Sequence, residues 1–430
     1  MLQTLRNAWK IEELRKKILF TLVIILLYRL GNAIPVPDVN IALLNAYFAQ
    51  QQSTILGLLD VMSGGAFSNA TIFALSIQPY INASIIIQLL TIAIPKLEEM
   101  QKDGEDGRKK IAAITRYVTV GLALIESIAM SIGFGRQGLL VDYNFVNCAI
   151  VVCTLTAGSA FLMWIGERIT EKGVGNGISI VLLINIISRV PDDLVTLYTQ
   201  FMSGKKLAKA GLAGIIILAI LLVVIVFVII LQDGERRIAV QYSKKVQGRK
   251  TYGGQSSHIP LKVNTAGVIP VIFASSMLQL PVVIASFAGV KPASGEGASL
   301  IQKFLKVCNQ SDWCNISSWG DFKYTLGLLV YIALVIFFAY FYTSVTFNPL
   351  EISNNMKKQG GFIPGIRPGK PTTDYLTNVL NSIIFIGAVA MVIVCVLPIV
   401  FSGVFGANVS FTGTSLIIIV GVVIETLKQL

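Results

Sequence analysis

Histidine is almost absent from this chain. A single imidazole, His258, among 430 residues removes histidine-based triads and histidine-rich metal sites from consideration. No Gly-x-x-x-x-Gly-Lys-Ser/Thr loop offers a phosphate cradle. Charge is also scarce: 13% of residues are Asp, Glu, Lys or Arg, against about 25% in an ordinary soluble domain. The five cysteines are scattered. Cys148, Cys153 and Cys395 fall in apolar segments and read as small apolar residues. Cys308 and Cys314 share a hydrophilic loop, where a short disulfide and two free thiols are equally open. Asp-Gly-Glu-Asp-Gly at 103–107 has the composition of a calcium loop but the wrong spacing, with five basic residues within reach, so it reads as a solvated turn. These absences leave no catalytic residue, no metal site and no cofactor to expect, and so no enzyme.

Long apolar runs are present instead. Apolar residues make up 54% of the chain and the mean hydropathy is +0.72, values of a polytopic membrane protein. Ten apolar segments can be drawn, at 18–34, 71–95, 111–134, 145–166, 178–200, 211–231, 265–288, 324–346, 376–402 and 411–427. The first 17 residues are charged and amphipathic and read as part of the mature chain rather than as a cleaved leader. With both ends cytoplasmic, the inner regions hold 25 Lys and Arg, the outer regions 9, and Arg29 lies within the first segment. That asymmetry sets the expected orientation. Ten spans split into an N-terminal half, 1–200, and a C-terminal half, 201–430. An odd number of spans per half requires the halves to enter the membrane from opposite sides, the inverted-repeat layout of many transport proteins.

Residues 30–95 contain no Lys or Arg, and a broken helix is expected there. Ile-Leu-Gly-Leu-Leu-Asp-Val-Met-Ser-Gly-Gly-Ala-Phe at 55–67 is apolar, too short to span, and ended by Gly64 and Gly65. The apolar stretch after it is long enough to span. A half-length helix at membrane depth is tolerated only inside protein or beside a water-filled cavity, so the chain is expected to move something across a membrane. The cytoplasmic loop 233–264 carries seven basic residues, among them Arg236, Arg237, Lys244, Lys245, Arg249 and Lys250. Loop 347–375 adds Lys357, Lys358 and Arg367, and its glycines and prolines predict turns rather than helix. Charges of this kind hold loops inside, but two such loops on one face also make a docking platform for an acidic or phosphate-rich partner. Glu126 is the main ionisable residue within a span. It reads either as an ion-coupling site or as a carboxylate near the outer helix end beside Ser127 and Ser131.

Five stretches in series resemble the SecY family of protein-conducting channels. They are Gln-Pro-Tyr-Ile-Asn-Ala-Ser-Ile-Ile-Ile-Gln-Leu-Leu at 78–90, Gly-Glu-Arg-Ile-Thr-Glu-Lys-Gly-Val-Gly-Asn-Gly-Ile-Ser at 166–179, Glu-Arg-Arg-Ile-Ala-Val-Gln-Tyr at 235–242, Leu-Lys-Val-Asn-Thr-Ala-Gly-Val-Ile-Pro at 261–270 and Phe-Ile-Pro-Gly-Ile-Arg-Pro-Gly-Lys-Pro at 362–371. The outer loop 289–323 matches least well. The resemblance implies an all-α membrane protein of ten helices in two inverted five-helix halves, with a plug formed near Leu56, Leu59, Asp60, Val61, Met62, Gly64, Gly65 and Phe67. It implies a pore ring of Ile81, Ile85, Leu182, Ile186, Ile272 and Ile418, with Leu182 where an isoleucine is common. A lateral gate would draw on Asn82, Ser84 and Gln88 against Ser275, Ser276 and Gln279. The implied function is passage of unfolded preproteins across the bacterial cytoplasmic membrane and sideways release of hydrophobic segments into the lipid bilayer. The implied partners are SecE-type and SecG-type membrane subunits, the SecA ATPase, the ribosome and the signal sequence of the preprotein. The competing classes are a small-solute carrier, which needs a polar midplane site, and an intramembrane enzyme, which needs a catalytic cluster.

Overall fold

The computed structural model describes residues 9–44, 60, 63–199, 207–242, 245–247, 250–252, 256–287, 290, 299–309, 313, 325–405 and 413–429. A helix overlies each of the ten apolar segments. These are α1 (Glu12–Gly31), α2 (Gln78–Ala93), α4 (Glu105–Arg136), α5 (Phe145–Lys172), α6 (Gly177–Leu197), α7 (Leu207–Asp233), α8 (Ile269–Phe287), α10 (Leu326–Thr346), α12 (Lys370–Phe405) and α13 (Gly413–Gln429). Three short helices join them: α3 (Pro95–Lys102), α9 (Leu300–Cys308) and α11 (Pro349–Lys358). Among the described residues four helical stretches are long and apolar enough to cross a bilayer, or five with the bent pair α2 and α3 taken as one span. Side chains at their surfaces such as Leu26, Ile125, Phe161, Val223 and Phe385 are exposed, as lipid contact requires.

The helices sort by their neighbours. In the first half α2 packs on α4, α4 on α5, α5 on α6, and α1 on α5. In the second half α8 packs on α10, α10 on α12, α12 on α13, and α7 on α12. Contacts between the halves run from α6 to α13 and from α8 to both α2 and α4.

Residues 71–77, expected to be the start of the second span, are turns, and α2 is only 16 residues long. Its first turn contains Pro79, and its end at Ala93 is followed by an extended Ile94 and by Pro95, so that α3 leaves at 106°. A proline has no N–H to continue the ladder and disfavours helical geometry in the residue before it. The irregular backbone is satisfied locally: Ile72 N donates to Ile34 O at 3.0 Å, Val36 N to Ala70 O at 2.7 Å and Ser76 N to Phe73 O at 2.8 Å. Gly158 of α5 makes room for it, since a Cβ there would stand 1.9 Å from the Ile72 carbonyl oxygen.

The two basic loops also differ from expectation. Loop 347–375 forms α11, because the Asn348 side chain caps it by accepting from Leu350 N at 3.1 Å and Pro349 fits its first turn. The turn chemistry acts later, at Gly360, Gly365 and Gly369, all with positive φ. Loop 233–264 is β-structured: β1 (Glu235–Tyr242) pairs antiparallel with β4 (Ser256–Lys262), in register Ile238 with Ile259, and with β5 (Gly361–Phe362). The short strands β2 (Lys245–Gln247) and β3 (Lys250–Tyr252) pair with each other. Ile238, Val240, Leu261, Met356, Ile363 and Leu376 form a small core under this sheet.

The Gly158 contact predicts that Gly158→Val lowers the melting temperature of the detergent-solubilised protein. Overpacking of this kind costs about 1–3 kcal/mol. Gly121 of α4 has open space where its Cβ would lie, and Gly121→Ala should leave the melting temperature unchanged or raise it. Equal behaviour of the two variants would show that the close approach of α5 to residue 72 is not needed.

Candidate functional site

The side chains of Ile81, Leu182, Ile186 and Ile418 are buried in one apolar cluster, with Ile85 and Ile272 half-buried against it. They come from four helices, α2, α6, α8 and α13, and from both halves. Spacing explains the geometry, since residues four apart stack on one helix face, as Ile81 with Ile85 and Leu182 with Ile186 do. Ile85 also packs against the large cluster of the second half around Val271, Phe273 and Ala274. All six side chains are aliphatic. The ring they form therefore offers nothing to replace the hydration shell of an ion.

A clamp lies next to it. Asp60 is buried, and its Oδ2 stands 2.9 Å from Arg189 Nη2 within α6 while its Oδ1 accepts from Ser68 N at 2.7 Å. Gly65 N and Ser63 Oγ both donate to Asp60 O, at 2.9 and 3.0 Å. Gly64, with φ +69°, lies against α6 so closely that a Cβ would meet Asn185 Cα and Ser188 Oγ at 3.0 Å, a position that needs glycine for conformation and for space. Phe67 packs towards Phe134 with ring centroids 6.5 Å apart. Leu56, Leu59, Val61 and Met62 of the expected plug lie outside the described residues.

Asn185 organises the surroundings. It is fully buried on α6, accepts from the Tyr28 hydroxyl of α1 and donates through Nδ2 to Ser76 Oγ at 3.2 Å. Arg29 Nη2 donates to Ile184 O at 2.6 Å. Sequence reasoning passed over Tyr28, Asn185 and Arg189, the last being counted only as an outer-loop charge. One signal was available: Asp60 is one of two acidic residues between 30 and 95, and a carboxylate in such an apolar stretch requires a partner.

The residues expected at a lateral gate lie on helices that meet, since α8 packs against α2 and α4. Their hydrogen bonds stay on one side of that seam. Asn82 Nδ2 donates to Glu126 Oε1 of α4 at 3.5 Å, Gln88 Nε2 to Ser84 Oγ at 3.4 Å, and Ser275 Oγ to Val271 O at 2.9 Å. Gln279 is buried and its Nε2 has no hydrogen-bond partner, while Ser276 is half-buried. Polar groups do not visibly bridge the two sides, and Ile85 does. Glu126 is not served by Ser127 and Ser131, which bond instead to Thr156 Oγ1 at 2.8 Å and Cys148 O at 3.3 Å of α5.

A family model described as SecY matches residues 71–427. The chain belongs to the SecY family. Among its relatives, the protein translocase subunit SecY of Streptomyces scabiei is 42% identical over 100% of this chain and 97% of its own length. That of Bacillus subtilis (strain 168) is 42% identical over 100% and 96%. Two solved structures share the fold at 15% identity, each over 96% of this chain and 91% of its own. One is described as the structure of a protein conducting channel, with a TM-score of 0.63, and the other as Sec61 in the canine ribosome-channel complex from the endoplasmic reticulum, with a TM-score of 0.56.

On the other face of this SecY-family chain, Arg236, Lys357, Lys358 and Arg367 are exposed. Arg237 is exposed too, but its guanidinium is held by Glu235 at 2.6 Å. Arg367 sits between Gly365 and Gly369 on the turn that leads into α12, and its carbonyl accepts from Thr372 Oγ1 at 2.8 Å. Lys245 and Lys250 lie on the paired strands β2 and β3, and Lys244 and Arg249 are outside the described residues. At the root of the platform Lys428 Nζ is 2.7 Å from Asp233 Oδ1. That hydrogen bond holds the Asp233 carboxyl below the usual carboxylate range. In the outer loop Cys308 is buried with a free thiol, pushed up by that burial, and Cys314 is outside the described residues.

The Asn185 arrangement predicts that Asn185→Ala destabilises the protein by about 1–3 kcal/mol, because the buried Tyr28 hydroxyl loses its acceptor. In Tyr28→Phe/Asn185→Ala the second change should add little to the first. Melting of the solubilised protein measures both, and fully additive losses would remove the bond from the account.

Proposed function

We propose that this chain is the protein-conducting subunit of a bacterial translocase, passing unfolded preproteins across the cytoplasmic membrane and releasing hydrophobic segments sideways. The observation that carries this reading is the meeting of Ile81, Ile85, Leu182, Ile186, Ile272 and Ile418, from four helices and both halves, in one apolar cluster. An aliphatic waist resists wetting at rest and yields around side chains of many shapes, as a non-selective substrate demands. A small-solute carrier needs polar ligands at that depth, and the six ring positions carry only aliphatic side chains.

The rest of the reading follows from the same arrangement. Four helix pairings recur in the same order in the two halves, although α7 also packs on α13, and this recurrence supports an inverted repeat of residues 1–200 and 201–430. The segment ending at Phe67 acts as the plug on the outer side of the waist. The seam of α8 and α10 against α2 and α4 is the lateral exit. Both termini are cytoplasmic, in accord with 25 basic residues inside and 9 outside. The exposed basic side chains on β1, α11 and the Arg367 turn receive SecA or a ribosome, which supply the energy, and SecE-type and SecG-type subunits complete the complex.

Ile85→Asn and Ile272→Asn should each raise the resting ion conductance of the reconstituted complex. A wetted amide avoids the roughly 1–3 kcal/mol that an unpartnered one costs in a dry ring, a bias of about one to two decades towards the wet state. Ile85→Leu, which keeps the volume, should stay close to the parent. Silent Asn variants at both positions would sink the waist and leave the carrier reading.

Arg367→Glu should reduce SecA- or ribosome-driven transport of a secretory substrate into vesicles several-fold without reducing channel abundance, because it sets a like charge against an acidic or phosphate-rich face. Transport at the parental rate would reduce Arg367 to a topology charge.

A further inference from the structure

Asp60 and Arg189 are joined in a way that a merely structural contact does not require. Asp60 is one of few charged side chains buried among the described residues, with its side chain 5% exposed, whereas that of Arg189 is 25% exposed. The pair connects two parts of the chain with different duties, the end of the plug segment and the interior of α6, which also carries Leu182 and Ile186 of the waist. Arg189 has a second carboxylate within reach. Its Nη1 is 3.9 Å from Asp192 Oδ2, one turn further along α6, and the Asp192 side chain is 73% exposed. Its Nε has no hydrogen-bond partner, so the guanidinium is not locked into one arrangement.

We propose that Asp60 and Arg189 form an exchange latch that keeps the plug closed. In the resting state the pair holds Asp60 on α6, next to the close approach of Gly64 to Asn185 and Ser188. When the plug leaves, Arg189 transfers to Asp192 and Asp60 moves out into water with its own loop bonds, Gly65 N and Ser63 Oγ on its carbonyl and Ser68 N on its Oδ1, intact. Removing one partner of a buried pair leaves a costly isolated charge. Exchange avoids that, because the cation remains paired on α6 and the anion becomes hydrated. The latch is therefore strong enough to hold the plug and cheap to release. This inference rests on the plug and channel reading above, and both residues act by positioning the plug, not by touching the substrate.

Ion currents across planar bilayers fused with membranes that carry the full chain and its partner subunits test it. Deletion of residues 56–67 is the reference and should raise the resting leak. Asp60→Asn, which keeps an oxygen for Ser68 N and loses the charge, and Arg189→Gln, which leaves every bond within the turn in place, should each raise the leak roughly tenfold, the worth of one charge-assisted hydrogen bond. The double variant should leak no more than either single one, and Arg189→Lys should stay near the parent. Asp192→Asn should open less often than the parent, since the released guanidinium has lost its second partner. If the deletion leaks while Asp60→Asn and Arg189→Gln do not, the latch is wrong and the plug stands. If the double variant multiplies the single effects, the two residues act separately and the latch is also wrong. Parental or increased opening in Asp192→Asn removes the exchange, and a deletion without leak removes the plug and the latch together. Should Arg189→Gln fail to accumulate, Asp60→Asn and Arg189→Lys decide the same question.

Discussion

Backbone polar groups in a bilayer must be satisfied by the protein itself, and the rest of this architecture depends on that constraint. Helices meet it without help, which is why a helix overlies each of the ten apolar segments. The informative places are those where the helix is interrupted. Between Gly64 and Ile77 the chain turns repeatedly, and its N–H groups find acceptors in residue 34 and in the turns themselves. That stretch survives because α5 withdraws every side-chain atom at Gly158 and because the side chain of Asn185 on α6 reaches Ser76.

The aliphatic cluster and the polar clamp beside it solve opposite problems. At the proposed waist a seal must form without any directional bond, so that chains of arbitrary sequence can displace it. Side chains from α2, α6, α8 and α13 supply only shape and dryness. At the proposed plug a single position must be favoured, and there hydrogen bonds and an ion pair are concentrated on Asp60. Apolar contact is roughly proportional to area and indifferent to orientation, whereas a charge-assisted bond is short and geometrically selective. The chain places each where its physics suits the task. The seam between α8 and α2 resembles the waist more than the clamp, with Ile85 packed into the clusters on both sides.

On the basic face the Lys and Arg residues are carried by a folded unit rather than by free loops. Pairing of β1 with β4 and β5 ties loop 233–264 to loop 347–375, and the apolar residues below the sheet fasten it to α12. The alternation Arg237, Ile238, Ala239, Val240, Gln241 was a legible strand signal, masked by attention to the charges. The partner strand β5 is two residues long and more than a hundred positions away, and no local pattern announces such a pairing.

The sequence by itself determined the membrane class, the number and order of apolar segments, the charge bias between the two faces and the family. Each of these is a one-dimensional property: hydropathy over a window, a count of basic residues per loop, or a motif in a fixed order. It also held the six candidate ring residues, but any one isoleucine in an aliphatic helix reads equally well as ordinary packing. Only the tertiary structure decided that six such residues from four helices share one cluster. It alone decided that Asp60 meets Arg189, that Asn185 joins α1 to the irregular segment, and that α2 is short and bent. Those facts depend on which helices become neighbours and how each is rotated about its axis. Rotation is set by the close fit of all the helices together, which no single stretch of the chain contains.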